Sequence, residues 1–144
     1  MLQRKGCAAI RGLCFFVVCP AALFGCDSGQ GEVEKSAQAF ADCYYNLRYK
    51  EALGLVTESS KRRILFAASN VSEEDIDVFN GRDADASCHI DDVEVEGDTA
   101  ARVDMTVRNV LAMDSIGVPA TIKDQIKVTI KLERKGKKWL VDLK

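Results

Sequence analysis

The chain contains a single histidine, His89, and no CxxC pair in its 144 residues. A zinc centre takes four Cys, His or acidic ligands at short spacings, and that donor set is missing. Also missing are a glycine-rich phosphate loop, an HExxH helix and a GxSxG elbow. The chain therefore carries none of these short signatures of nucleotide binding, metalloproteolysis or serine hydrolysis, and no cofactor is expected. There is no internal repeat, coiled-coil heptad or low-complexity tract. Twenty basic residues face 22 acidic ones, for a net charge of −2. Without a clustered basic face, nucleic acid is not an expected partner. The apolar run Gly12–Gly25 falls short of the about 20 residues needed to span a bilayer, and Pro20 interrupts it.

What is present begins with that run. Arg4, Lys5 and Arg11 form a positive region at its start, and the small residue Gly25 ends it before Cys26. Basic, apolar and small segments in this order make an export leader. The stretch Leu23-Phe24-Gly25-Cys26 resembles a bacterial lipobox, the cleavage and lipidation site of bacterial lipoproteins. The resemblance implies that residues 1–25 are a lipoprotein signal peptide and that Cys26 is the acylated first residue of the mature protein. It implies a lipid-anchored position on a membrane of the cell envelope. An ordinary secretory leader with an incidental cysteine is the competing reading. Each acyl methylene buried in the bilayer contributes about 0.8 kcal/mol, so several chains hold where one would not.

The leader takes three basic residues and no acid, leaving the remainder more negative than the whole chain. Residues 26–32, polar and glycine-bearing, read as a flexible tether. Residues 33–144 are one domain's worth, long enough to bury a core. Beyond Cys26, only Cys43 and Cys88 remain. Outside the cytoplasm two thiols in one small domain are disulfide candidates, and closing their loop would add about 4 kcal/mol. Two unpaired, buried thiols are the alternative.

Val33, Ala37, Phe40, Ala41, Tyr44 and Leu47 recur at helical spacing and predict an amphipathic helix. Ala52, Leu53 and Val56 suggest a short second helix. SSKRRILFAAS reads as a third, with Ser59 or Ser60 as N-cap, and Ser72 with Glu73, Glu74 and Asp75 marks a fourth helix start. The period then changes to two. Ala101, Val103, Met105 and Val107 alternate with polar residues, as do Ile126, Val128, Ile130 and Leu132, and then Trp139, Val141 and Leu143. These are half-buried strands, with reversals at Glu96–Thr99 and Arg134–Lys137. In the first strand, around Cys88–Val95, Ile90 and Val93 have opposite parity, so a bulge is expected near Asp91-Asp92. The expected class is α+β: N-terminal helices packed on a curved antiparallel sheet of about four strands.

That order of elements, with the stretch FADCYYNLRYKEALGLVTESS at residues 40–60, resembles a nuclear-transport-factor-2-like (NTF2-like) domain. More narrowly it is similar to small lipid-anchored NTF2-like proteins of Bacteroidetes. The resemblance implies a cone whose helices and concave sheet face enclose a cavity. In some members the cavity holds an isomerase or dehydratase site, and in others a sheet face binds partners or a second copy. With no catalytic signature in the chain, the expected function is that of a non-catalytic binding domain for a small ligand or an envelope protein, with a homodimer as one form. A small isomerase- or dehydratase-type enzyme is the alternative.

An enzyme of that kind needs a base within reach of its substrate. His89 lies opposite in parity to Cys88 and Ile90 and is expected on the surface. Asn109 and Asp124 fall on the apolar parity of their strands, making them the candidate polar lining of a cavity, Asp124 as base and Asn109 as polarising group. The competing account wets both at strand ends. The opposite face carries Arg102, Arg108, Lys123, Lys127 and Lys131 beside Asp104 and Glu133, a charged surface that discourages unwanted edge pairing.

Overall fold

The helical periodicity of the first half and the alternation of the second become two layers in a computed structural model that describes residues 27–144. Four α-helices come first: α1 (Asp27–Tyr44), α2 (Tyr49–Ala52), α3 (Glu58–Ser69) and α4 (Glu73–Asn80), with a 3₁₀ turn at Leu53–Leu55. Four strands follow, β1 (Ser87–Glu96), β2 (Ala100–Ala112), β3 (Thr121–Lys135) and β4 (Lys138–Asp142). They form one open antiparallel sheet in the order β1-β2-β3-β4. The fold is α+β, with its helices N-terminal to the sheet. No helix among the described residues is long and apolar enough to cross a membrane.

The long first helix buries Val33, Ala37, Phe40 and Ala41, one face of a 3.6-residue period. That face meets the inward residues Val103, Met105 and Val107 of β2, Leu132 of β3 and Val141 of β4 in a single core. Each large side chain buried in this way contributes roughly 1.5–3 kcal/mol. The helix continues N-terminally through residues 27–32, where the sequence suggests a flexible tether; Gln30 bonds Glu34 one turn on at 3.2 Å. Its far end docks on β1 through Asn46, whose side chain accepts from Ala86 N–H (2.9 Å) and donates to Ala86 C=O (3.1 Å).

The helix cap of α3 differs from expectation. Thr57 occupies the N-cap position, while Ser60 is fully buried and turned toward β4. There its hydroxyl donates to Asp142 Oδ1 (3.1 Å) and accepts from Leu143 N–H (2.9 Å). The partner that claims Ser60 lies more than eighty residues along the chain, out of reach of local capping rules.

In the sheet the expected bulge is present, with the β1–β2 register shifting between Ile90 and Asp92. It brings Val93 and Val95 onto the inner side with Cys88 and Ile90. Gly97 and Gly136 take positive φ (62° and 63°) in the two tight reversals, where a side chain would be strained. A second irregularity falls at Asn109, whose φ is 58°. Inward alternation along β2 runs through Val107, then resumes at Val110 instead of Asn109. Asparagine tolerates this left-handed conformation better than a branched residue.

The backbone at this position makes a direct prediction. Asn109→Gly and Asn109→Val both remove the side-chain amide, so only the conformational cost separates them. Denaturant unfolding should find the valine variant less stable than the glycine variant by about 1 kcal/mol. Equal stabilities would contradict a left-handed residue at 109.

Candidate binding cleft

A cavity of about 560 Å³ opens where the C-terminal half of α3, the start of α4 and the β2–β3 loop converge. Three segments build its walls. Arg63 and Phe66 of α3 and its C-cap Asn70 line it, together with Ala67, which also packs against the core beside Ile64. Ser72, Glu74 and Asp75 come from the first turn of α4, and Met113–Pro119 supply the loop. Tyr44 and Leu143 line it from the α1 and β4 side.

The loop's shape follows from Gly117. Its φ of 79° at the third position of a Ser115–Val118 turn, closed by Val118 N–H to Ser115 C=O at 3.3 Å, matches a type II turn. That turn holds Ile116 and Val118 outward, 79% and 59% exposed, across from Phe66 at 62%. Exposed apolar side chains facing one another over a concave surface are the usual composition of a ligand or partner site. The rim is polar, with Arg63, Asn70, Glu74 and Asp114; Asp114 is held by Lys123 Nζ at 2.9 Å.

One carboxylate, that of Asp75, lies within the wall, and it is the only buried acidic side chain among the described residues. Its Oδ2 accepts from Ser72 N–H (2.9 Å), while Asp75 N–H donates to Ser72 Oγ (3.1 Å), a complete capping box. Its Oδ1 accepts from Ala120 N–H at 2.9 Å. These donors, the Ser72 backbone first, hold its pKa below the ordinary carboxylate value. A general base on an apolar wall needs the opposite shift.

The residues predicted as polar lining are placed elsewhere. Asp124 is exposed on β3. Asn109 is turned away by its left-handed backbone: its amide donates to Ala84 C=O and its own carbonyl accepts from Arg82 at 3.3 Å. They sit in adjacent strands, between the Arg108–Gln125 and Val110–Lys123 pairs, but their side chains do not line the cleft. His89 is exposed, on the outer side of β1.

The Cys43–Cys88 bridge is not formed; both thiols are free. The reason lies in the phase of α1. Gln38 and Asp42 face β1, with Gln38 bonding Cys88 C=O at 3.2 Å and Asp42 Oδ1 at 3.0 Å, which sets the Asp42 carboxylate near the Cys88 thiol. Cys43, one residue on, points to α2 and Glu51 (3.8 Å). Burial, aided by Asp42, pushes the Cys88 pKa up to about 12, and burial raises that of Cys43. Such thiols are poor nucleophiles. Cys26 lies outside the described residues.

Two features escaped sequence reasoning. Arg82, with its side chain 2% exposed, stacks on the Phe79 ring at 3.8 Å and bonds Asn46, Asn109 and Asp85, knotting the ends of α1 and α4 to β2. The cleft itself was signalled only by two apolar residues, Ile116 and Val118, in an otherwise turn-like loop. Among the described residues no three His, Cys, Asp or Glu side chains are grouped to hold a metal ion. No known family model matches the chain, and no characterised protein does either.

The Asp75 carboxylate gives a pH prediction. Its pKa is lower in the folded protein than in the unfolded chain, where it is about 4. The stabilisation is therefore complete above that value and lost as pH falls through the lower folded value. Asp75→Asn should be destabilised at pH 7, with the gap to the parent protein narrowing below about pH 4. Parallel pH–stability curves would contradict the assignment.

Proposed function

We propose that the protein is a lipid-anchored component of the bacterial cell envelope whose α+β domain, resembling the NTF2-like class, works by binding. The occupant of the cleft is an apolar small ligand or an apolar segment of another envelope protein. The observation that carries this reading is the 560 Å³ cleft, rimmed by exposed Phe66, Ile116 and Val118. The same geometry favours binding over the isomerase- or dehydratase-type alternative. The acid in the cleft wall has a backbone donor on each oxygen, which lowers its pKa, and Asp124 and Asn109 do not line the cavity.

The order of segments at the N-terminus supports the anchor at Cys26. A domain held at a membrane meets its neighbours at raised effective concentration, which suits a module that binds without turning anything over.

Two measurements test the reading separately. Cys26→Ser should move the protein from the detergent-extracted membrane fraction to the soluble fraction; unchanged fractionation contradicts lipidation there. For the cleft, fluorescence of the apolar probe anilinonaphthalene sulfonate should rise with the parent protein and fall at least several-fold with Ile116→Asp/Val118→Asp. Both residues are exposed, so the variant's stability should stay within about 0.5 kcal/mol per site. Equal probe binding by the folded variant contradicts a role for this cleft.

A further inference from the structure

The β4 strand is much shorter than the strand it pairs with. It covers only Lys131–Lys135 of β3, so the same edge of β3 from Thr121 to Ile130 has no strand partner among the described residues. Among the described residues no backbone hydrogen bond reaches it from a loop. Beside this edge lies a groove of about 340 Å³. Four consecutive β3 residues, Val128–Lys131, line the groove together with Phe40 and Tyr44 of α1, Tyr45 just beyond it, and Asp142–Lys144 at the end of β4. Consecutive strand residues present both parities and the main chain between them, so the groove runs along the strand edge and not over one face.

We infer that this edge accepts an extended segment of a partner protein as an added strand, in line with β4 and antiparallel to β3, with apolar and acidic residues alternating along it. Main-chain hydrogen bonds along an open edge supply the affinity, and side-chain pockets of period two supply the choice of partner. On the inner side, an added strand would set its side chains against Tyr44, Tyr45, Ile126 and Val128, which are partly buried and edge the core. On the outer side it would run beside Lys127, with Lys131 just past its end, opposite Asp142 of β4. Both lysines are exposed and neither is in an ion pair among the described residues. Charge complementarity therefore calls for acids at the alternate positions.

Lysines on the open edge also weigh against a second copy of this chain as occupant. Antiparallel self-pairing centred on Lys127 would set Lys127 against Lys127, and pairing centred on Gln125 would set Lys123 against Lys127; like charges directly opposite are destabilising. Pairing centred on Ile126 escapes such contacts but sets Lys127 against Gln125 and gains no ion pair, whereas a strand of opposite charge gains one.

The test uses the full chain in detergent and a blocked ten-residue peptide of alternating valine and glutamate, with a shuffled peptide of the same composition. The alternating peptide should bind and perturb the backbone amides of Thr121–Ile130, and Lys127→Glu/Lys131→Glu should weaken it roughly tenfold. N-methylation of every second peptide amide should abolish binding for one parity and spare it for the other, a signature that a merely electrostatic contact would not give. Failure of the peptide to bind, equal binding of the shuffled peptide, or indifference to N-methyl parity or to the lysine changes overturns the inference. Self-association of the chain through the same edge overturns it in favour of a second copy.

Discussion

Asp75 sits where the helical layer meets the β2–β3 loop, and its two carboxylate oxygens are divided between them. One oxygen closes the first turn of α4 through Ser72; the other accepts the Ala120 N–H at the entrance to β3. Both cleft walls are set by this division. The α3–α4 side cannot drift from the loop without stripping a buried charge of its donors, which costs more than the loss of an ordinary hydrogen bond. Ile116 and Val118 can then stay exposed on a loop fixed at its base, by Asp75 on one side and by the Asp114–Lys123 pair on the other.

Elsewhere the interior is filled. Phe40, Met105, Leu132, Trp139 and Val141 pack between α1 and the sheet, so the domain closes over β2 and β4 and stays open around Tyr44. That tyrosine borders the main cleft and the grooves beside β3, and burial raises its pKa. The asymmetry comes from strand length. β3 extends ten residues beyond the reach of β4. A domain stabilised on one side and left open on the other is suited to binding, because the rigid half holds the open half in shape.

Much of the architecture was legible in the sequence because it depends on local rules. Period-two alternation located β2, β3 and β4, and the parity break between Ile90 and Val93 located the bulge. Helical spacing from Val33 to Tyr44 defined the core face of α1. What remained hidden depends on distant partners. Ser60 looks like a cap until Asp142 claims it, and Asn109 follows the alternation of β2 until Arg82 and Ala84 turn it aside. Cys43 and Cys88 look like a pair until the phase of α1 separates them. The cleft was hidden for the same reason, since Phe66 and Ile116 are fifty residues apart and nothing in either segment names the other.

The most direct measurement of this account is amide hydrogen exchange at Ala120 in the parent protein at neutral pH. If Asp75 joins the helices to the loop, this N–H should exchange slowly, at a rate tied to unfolding of α4, although the residues before it are exposed. Exchange as fast as that of Ile116 or Gly117 would mean that the carboxylate does not hold the loop, and that the cleft has no fixed second wall.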